Sequence, residues 1–264
     1  MNDLLKLLET AKVYDLAQSY FVGMPHHPMH PPFLYSLTKK HGDYLIPGGG
    51  SSVSDAVALG SHVGTHIDAL CHFSCGGKLY GGQEANSVQS YTGGMQKHSI
   101  DTVAPILRRG VLLDIAGQQQ LSELPADFTI TPEHMEQTAK SQGVKVGRGD
   151  VVLLRTGWGS FFSDATRFQA QLRGPGPGEE GARWLSRHEI AAAGSDTIAF
   201  ELAPSHFPVH IHLLVESGIH IIECLNLEQL AAERVYEFLF IAAPLKIKGG
   251  TGSPIRPIAL TTNL

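Results

Sequence analysis

The chain has 264 residues, 42% of them hydrophobic, with a formal net charge of −5, which is enough apolar material for a full core. That acidic balance leaves no basic stripe to neutralise phosphates, so nucleic acid is excluded as a partner. No apolar run reaches the length needed to cross a bilayer, so a membrane is excluded as well. Cys71, Cys75 and Cys224 are an odd set, too few for a disulfide framework and without the paired spacing of a zinc ribbon, so a reducing cytoplasm is the expected compartment.

Met1–Glu9 reads as a short amphipathic helix, because charged residues interrupt it before any signal-type stretch develops. The segment His26–Gly50 follows Pro25 and holds Pro28, Pro31, Pro32 and Pro47 beside His26, His27 and His30. It reads as an irregular loop. Two roles stay open for it: a substrate-facing loop with Phe33 and Tyr35 as apolar contacts, or a surface loop with solvated histidines. Strand-like runs follow at Ser52–Leu59, Gly110–Ile115, Asp150–Thr156, Asp196–Phe200, Ile219–Leu225, Phe238–Leu245 and Pro254–Leu260. Helices are predicted from the Thr131 cap and Pro132 onward, from Glu179 to Ala193 with Gly194 as its stop, and from Phe207 to Glu216 ahead of Gly218. Strands and helices alternate without internal repeats, which predicts one α/β domain over residues 1–264.

Histidine is the unusual entry in the composition, with fourteen residues. Four chemically active side chains crowd into Ser61-His-Val-Gly-Thr-His-Ile-Asp-Ala-Leu-Cys-His-Phe. In extended chain His66 and Asp68 share a face, and Gly64 lets the backbone turn so that His62 joins them. Two imidazoles and a carboxylate suit Zn²⁺, Mn²⁺ or Fe²⁺ with positions left open for water and substrate. His72 is then free for proton transfer.

A second set lies near the carboxyl end. Glu223 sits in an apolar run, where an unpaired charge is costly, so it should meet a cation or a metal. On a helix His210 and His212 lie about 200° apart, so one of them faces any given site, and the residues alone leave the choice open. His206 and His220 read as surface or structural groups, and Asp196 as either an orienting group or a turn residue. Phe33, Tyr35, Phe73 and Trp158 are candidate walls for a flat ring. Cys71 and Cys75 lack the partners of a cysteine nucleophile.

The run from His62 to Phe73 resembles the His-x-Gly-Thr-His-x-Asp-x-x-x-His motif of the cyclase superfamily, which includes bacterial kynurenine formamidases and isatin hydrolases. Further matches are Leu153–Trp158, Gly194–Thr197, His210–Leu227 and Ala243–Arg256, so the resemblance spans nearly the whole chain. It implies an α/β fold of β/β/α swivelling type with a mixed, partly opened barrel, assembled as a homodimer or larger homo-oligomer. It also implies that His62, His66 and Asp68 are metal ligands, that His72 gives and takes the proton, and that His210 and Glu223 hold a second ion. One or two Mn²⁺ or Zn²⁺ per chain are the implied cofactors. Glu223 matches the two-metal formamidases, whereas Pro244–Ile247 and Gly250–Arg256 are closer to the isatin hydrolases; Leu70 departs from the proline common at that position.

The expected activity is hydrolysis of an amide bond in a small molecule, an aryl formamide or an isatin-like cyclic amide, by metal-activated water. Two alternatives are a metal-dependent cyclase or lyase that stabilises an enolate, and a non-catalytic metal-binding or small-molecule-binding protein.

Overall fold

A computed structural model describes residues 9–169 and 172–262. The helix expected at Met1–Glu9 lies almost wholly outside them. The strands, in chain order, are β1 (Ala11–Asp15), β2 (Leu34–Lys39), β3 (Ser54–Ala58), β4 (His66–Asp68), β5 (Gln89–Ser90), β6 (Gly94–Met95), β7 (Ile106–Asp114) and β8 (Thr129–Ile130). They continue as β9 (Val151–Arg155), β10 (Gly176–Pro177), β11 (Ala192–Ser195), β12 (His220–Glu223), β13 (Glu237–Ala242), β14 (Gly252–Pro254) and β15 (Ile258–Thr262).

Nine of these strands form one mixed sheet in the order β1-β15-β13-β7-β9-β11-β12-β4-β14. The central strands β7, β9, β11 and β12 run parallel, and the flanking strands are antiparallel. Parallel neighbours need crossovers, and helices at Pro132–Gln142, Glu179–Arg187 and Pro208–Ser217 provide them. Side chains along each central strand alternate between two cores. Val111, Leu113, Val152, Leu154, Ala193 and Ile221 meet the helices, while Leu112, Val151, Leu153, Ala192 and Ile222 face the inside of the sheet with Leu16, Ile67 and Phe240.

The sheet is curled into a half-barrel, and the chain itself requires this. β14 stands at one end of the strand order and β15 next to the other, yet only residues 255–257 join them, a reach of about 10 Å. The continuous strand predicted over Pro254–Leu260 is therefore two strands. Pro254 and Pro257 interrupt it because neither offers a ladder N–H.

Three other expectations are corrected. The Glu179 helix ends at Arg187, and the small residues Ala192 to Gly194 form β11 instead. A Cβ on Gly194 would meet Leu153 and Leu225 side chains at 2.8 and 2.9 Å, so close packing between neighbours selects small residues in that strand. Asp196–Phe200 is not a strand; Asp196 is buried and accepts from Thr156 N, Thr156 Oγ1 and Gly157 N at 2.9, 2.6 and 2.8 Å, which turns the chain out of the sheet. The proline-rich segment is not wholly irregular, since Leu34–Lys39 pairs with Ser54–Ala58 in a separate hairpin. The Thr131 cap agrees with expectation: its hydroxyl accepts from the His134 amide, and Pro132 opens the helix.

Candidate metal centre and cavity

The site is built where β4 lies between β12 and β14. Glu223 on β12 is directly opposite His66, and Ile222 is opposite Ile67. The pleat therefore puts Glu223, His66 and Asp68 on one face and the two isoleucines in the core. Gly64 precedes this strand with φ +61°. A Cβ there would lie 2.6 Å from the Tyr20 ring, whose hydroxyl donates to the carbonyls of Val63 and Thr65 at 3.0 and 2.8 Å. That turn brings His62 back over β4. Its Nδ1 donates to Asp68 Oδ1 at 2.7 Å, and its Nε2 accepts from Thr251 at 2.9 Å.

His72, in the turn after β4, stacks on His62 with ring centroids 3.8 Å apart. His30 from the proline-rich segment also stacks on His62, with ring centroids 5.0 Å apart. Burial lowers the His72 pKa to about 3 against the opposing pull of Asp68, and His62, His210 and His66 reinforce the fall. His72 is thus a neutral imidazole, able to accept a proton.

His210 enters from the opposite side. Its Nδ1 donates to Glu201 Oε2 at 2.6 Å, and its backbone N–H donates to the same oxygen at 2.9 Å. Its Nε2 consequently faces Glu223 Oε1 at 3.3 Å and Asp68 Oδ2 at 4.0 Å. Burial opposes charging this ring, but Glu201, Glu223 and Asp68 outweigh it and raise its pKa to about 10. His212 points elsewhere: it bonds Glu216 at 2.7 Å through Nδ1 and Ser186 at 2.8 Å through Nε2. The helical choice left open between the two residues is settled by these contacts.

The residues present fit a divalent cation. His66 Nδ1 donates to the Gly64 carbonyl at 2.8 Å, so in the neutral ring Nε2 is a bare lone pair. It faces two carboxylate oxygens, Asp68 Oδ1 and Glu223 Oε2, each at 3.5 Å. Asp68 Oδ1 accepts from His62 Nδ1 on its other side, but toward the His66 lone pair the two oxygens offer acceptors only, and a cation between them would satisfy all three. Asp68 Oδ2 is likewise buried with no hydrogen-bond partner among the described residues. Two donor groups meet at Asp68: His62, Asp68 and His72 on one side, and Asp68, His210 and Glu223 on the other. Imidazole nitrogens and carboxylate oxygens are the donors that Zn²⁺ and Mn²⁺ accept. Sulfur belongs to neither group; burial pushes the Cys71 thiol up to about 12 and Cys224 well above its ordinary value.

The centre opens into a cavity of 220 Å³. His62, His66, His72, His210 and Glu223 line it together with Phe73, Ile198, Phe207, His27, Met29 and His30. Of the four aromatic residues expected as walls, Phe73 lines this cavity. Phe33 instead packs edge-on against Tyr20, Tyr35 stands in the exposed hairpin, and Trp158 is buried with its Nε1 donating to the Leu124 carbonyl at 2.9 Å. His220 is tied to the Asp68 carbonyl at 2.8 Å, a structural position, and His206 is exposed. Asp196 lies outside both donor groups.

Sequence reasoning missed Glu201, Thr251 and Phe207. Thr251 bonds His62 across 189 residues and Glu201 bonds His210 across nine, and no local pattern marks either. Phe207 carried a signal: the residue ahead of Pro208 at a helix start, it adopts φ +60°, rare for an aromatic side chain.

A mixed half-barrel with a histidine–carboxylate cluster at the junction of β4 and β12 defines an α/β protein with a candidate metal centre. The family model described as "Putative cyclase" matches residues 14–202, and the chain belongs to that cyclase family. An isatin hydrolase from Roseibium aggregatum is 28% identical over 77% of this chain and 73% of its own length. Cyclase-like protein 1 of Arabidopsis thaliana is 25% identical over 97% of this chain and 87% of its own. Among solved structures, one described as a novel cyclase superposes with a TM-score of 0.89 at 30% identity, covering 99% of this chain and 90% of that one. Isatin hydrolase A from Ralstonia solanacearum gives 0.77 at 26% identity, covering 98% and 96%.

Proposed function

We propose that this protein is a metal-dependent hydrolase that opens the C–N bond of a cyclic amide fused to a planar ring, an isatin-like substrate. The observation that carries the reading is the set of opposed acceptors at His66, Asp68 and Glu223, with neutral His72 beside it in the same cavity. Relatedness to isatin hydrolases supports the substrate class.

His62, His66, Asp68, His210 and Glu223 would hold the metal. When bound, a divalent ion supplies a water of lowered pKa and a positive charge that polarises the substrate carbonyl. The chain's own groups do the rest. Phe73 and Phe207, packed with ring centroids 5.4 Å apart, line the cavity side by side and offer a flat ring an aromatic surface to stack on. His72 takes the proton from the attacking water and returns it to the departing nitrogen. Its stack on His62 fixes the imidazole plane for both transfers. Asp68, unprotonated within the cluster, keeps the floor of the cavity anionic.

A second reading has its own observation. Asp68, His210 and Glu223 form a complete donor group of their own, which supports two ions per chain, as in the formamidases, and an aryl formamide as substrate.

The test is metal analysis of protein reconstituted with Mn²⁺ or Zn²⁺, followed by turnover of isatin and of formanilide monitored by product mass. Isatin gaining one water to give a ring-opened carboxylate supports the proposal. Formanilide cleavage with two ions per chain supports the second reading, and turnover of neither with either metal overturns both.

A further inference from the structure

The chain that leaves the sheet after β11 borders two hollows. Asp196 turns it outward, and the residues that follow, Ile198 and Ala199, line both the cavity of the metal centre and a second chamber of 200 Å³. His27 and Phe207 are shared in the same way. Four common residues put the chambers side by side, with Phe207 at their boundary. Neither volume alone reaches the roughly 300–1,000 Å³ usual for a small-molecule site, and the two together do.

Beyond the shared residues the second chamber presents carbon, from Leu172, Ala203 and Pro204. Its polar members are already bonded. The Ser205 hydroxyl donates to Glu201 Oε1 and accepts from the Phe207 amide at 3.0 Å, and Glu201 Oε2 holds His210. Among the described residues no lysine or arginine lines this chamber. A carboxylate entering it would lose its water and meet no counter-ion. An apolar group has no such cost, and because a cavity of about 150 Å³ is enough to hold benzene, this chamber has room for a branch of about four carbons.

We propose that the substrate carries an uncharged alkyl branch on its planar ring, and that the second chamber receives this branch while the ring lies against Phe73 and Phe207. The assignment rests on the hydrolase reading above, since it places the cyclic amide at the metal centre. Ala203 and Leu172 then set the length of branch accepted. Burying one methylene is worth about 4-fold in binding, so a butyl branch that is partly buried should gain about 10–100-fold in kcat/KM.

The test compares isatin with butylisatins substituted at the nitrogen or at each ring carbon, as substrates of the full, metal-loaded chain. Their ring-opened carboxylates are compared as ligands by titration calorimetry. At least one isomer should exceed isatin about 10–100-fold in kcat/KM, and its product should bind more tightly than the unsubstituted one. Ala203→Leu, which fills the chamber, should abolish both gains, and Leu172→Ala should move the optimum to a longer branch; circular dichroism checks that both variants fold. Gains that survive unchanged in both variants put the branch elsewhere and overturn the proposal. Butyl isomers that never exceed isatin, while isatin itself is opened, overturn it and leave the hydrolase reading standing. If no compound is opened but the calorimetric gain appears and Ala203→Leu removes it, the chamber is upheld and the hydrolase reading falls. Neither turnover nor gain overturns both.

Discussion

Glu201 and His210 are joined twice through one oxygen, by the ring Nδ1 at 2.6 Å and the backbone amide at 2.9 Å. Glu201 is 1% exposed; its other oxygen accepts from the Ser205 hydroxyl, so the carboxylate is held in place while Oε2 orients the imidazole. It fixes the proton on Nδ1 and turns Nε2 to Glu223 and Asp68.

That relationship predicts the behaviour of Glu201→Gln. The amide keeps the shape but loses the charge that makes His210 a strong donor, so affinity for an ion at Asp68, His210 and Glu223 should fall about 10–100-fold. Competition with a chromophoric chelator measures this directly. Unchanged affinity would mean that Glu201 only supports the loop.

His72→Ala separates the two roles open to that residue. If His72 carries protons, metal content stays at the wild-type value and kcat falls about 10²–10⁴-fold. Loss of one ion per chain would instead make His72 a ligand, in keeping with its place beside His62 and Asp68.

In metal-free protein the two shifted histidines act at opposite ends of the pH scale. His72 falls to about 3 when folded, so between there and its ordinary value of 6.5 the unfolded chain binds more protons and stability drops as pH falls. His210 rises to about 10, so its contribution is complete below pH 6.5 and drains away as pH rises toward 10. Urea midpoints measured in chelator across this range should therefore peak near neutrality. His210→Gln should flatten the alkaline limb and leave the acid limb in place.

Gly64→Ala should destabilise the chain by about 1–3 kcal/mol, because φ is +61° and the new methyl would meet Tyr20 at 2.6 Å. The same movement displaces His62 and His66 on either side. Chemical denaturation should show the loss together with weaker metal binding, whereas metal binding at wild-type strength would show that the turn does not set the ligands.

What the sequence determined by itself was local. The spacing of His62, His66, Asp68 and His72 follows from the period of a strand and one glycine turn, and the helix at Pro132–Gln142 follows from its own cap. Glu223 could be marked as needing a cation because a buried carboxylate is costly wherever it lies. Tertiary structure decided everything that rests on distant pairing. Only the β4–β12 register sets Glu223 against His66, and only the approach of the segment at Glu201 selects His210 over His212. β11 escaped recognition because close packing, rather than β propensity, puts Ala192, Ala193 and Gly194 in a strand, and the break after Pro254 depends on a curl that no short window of residues contains.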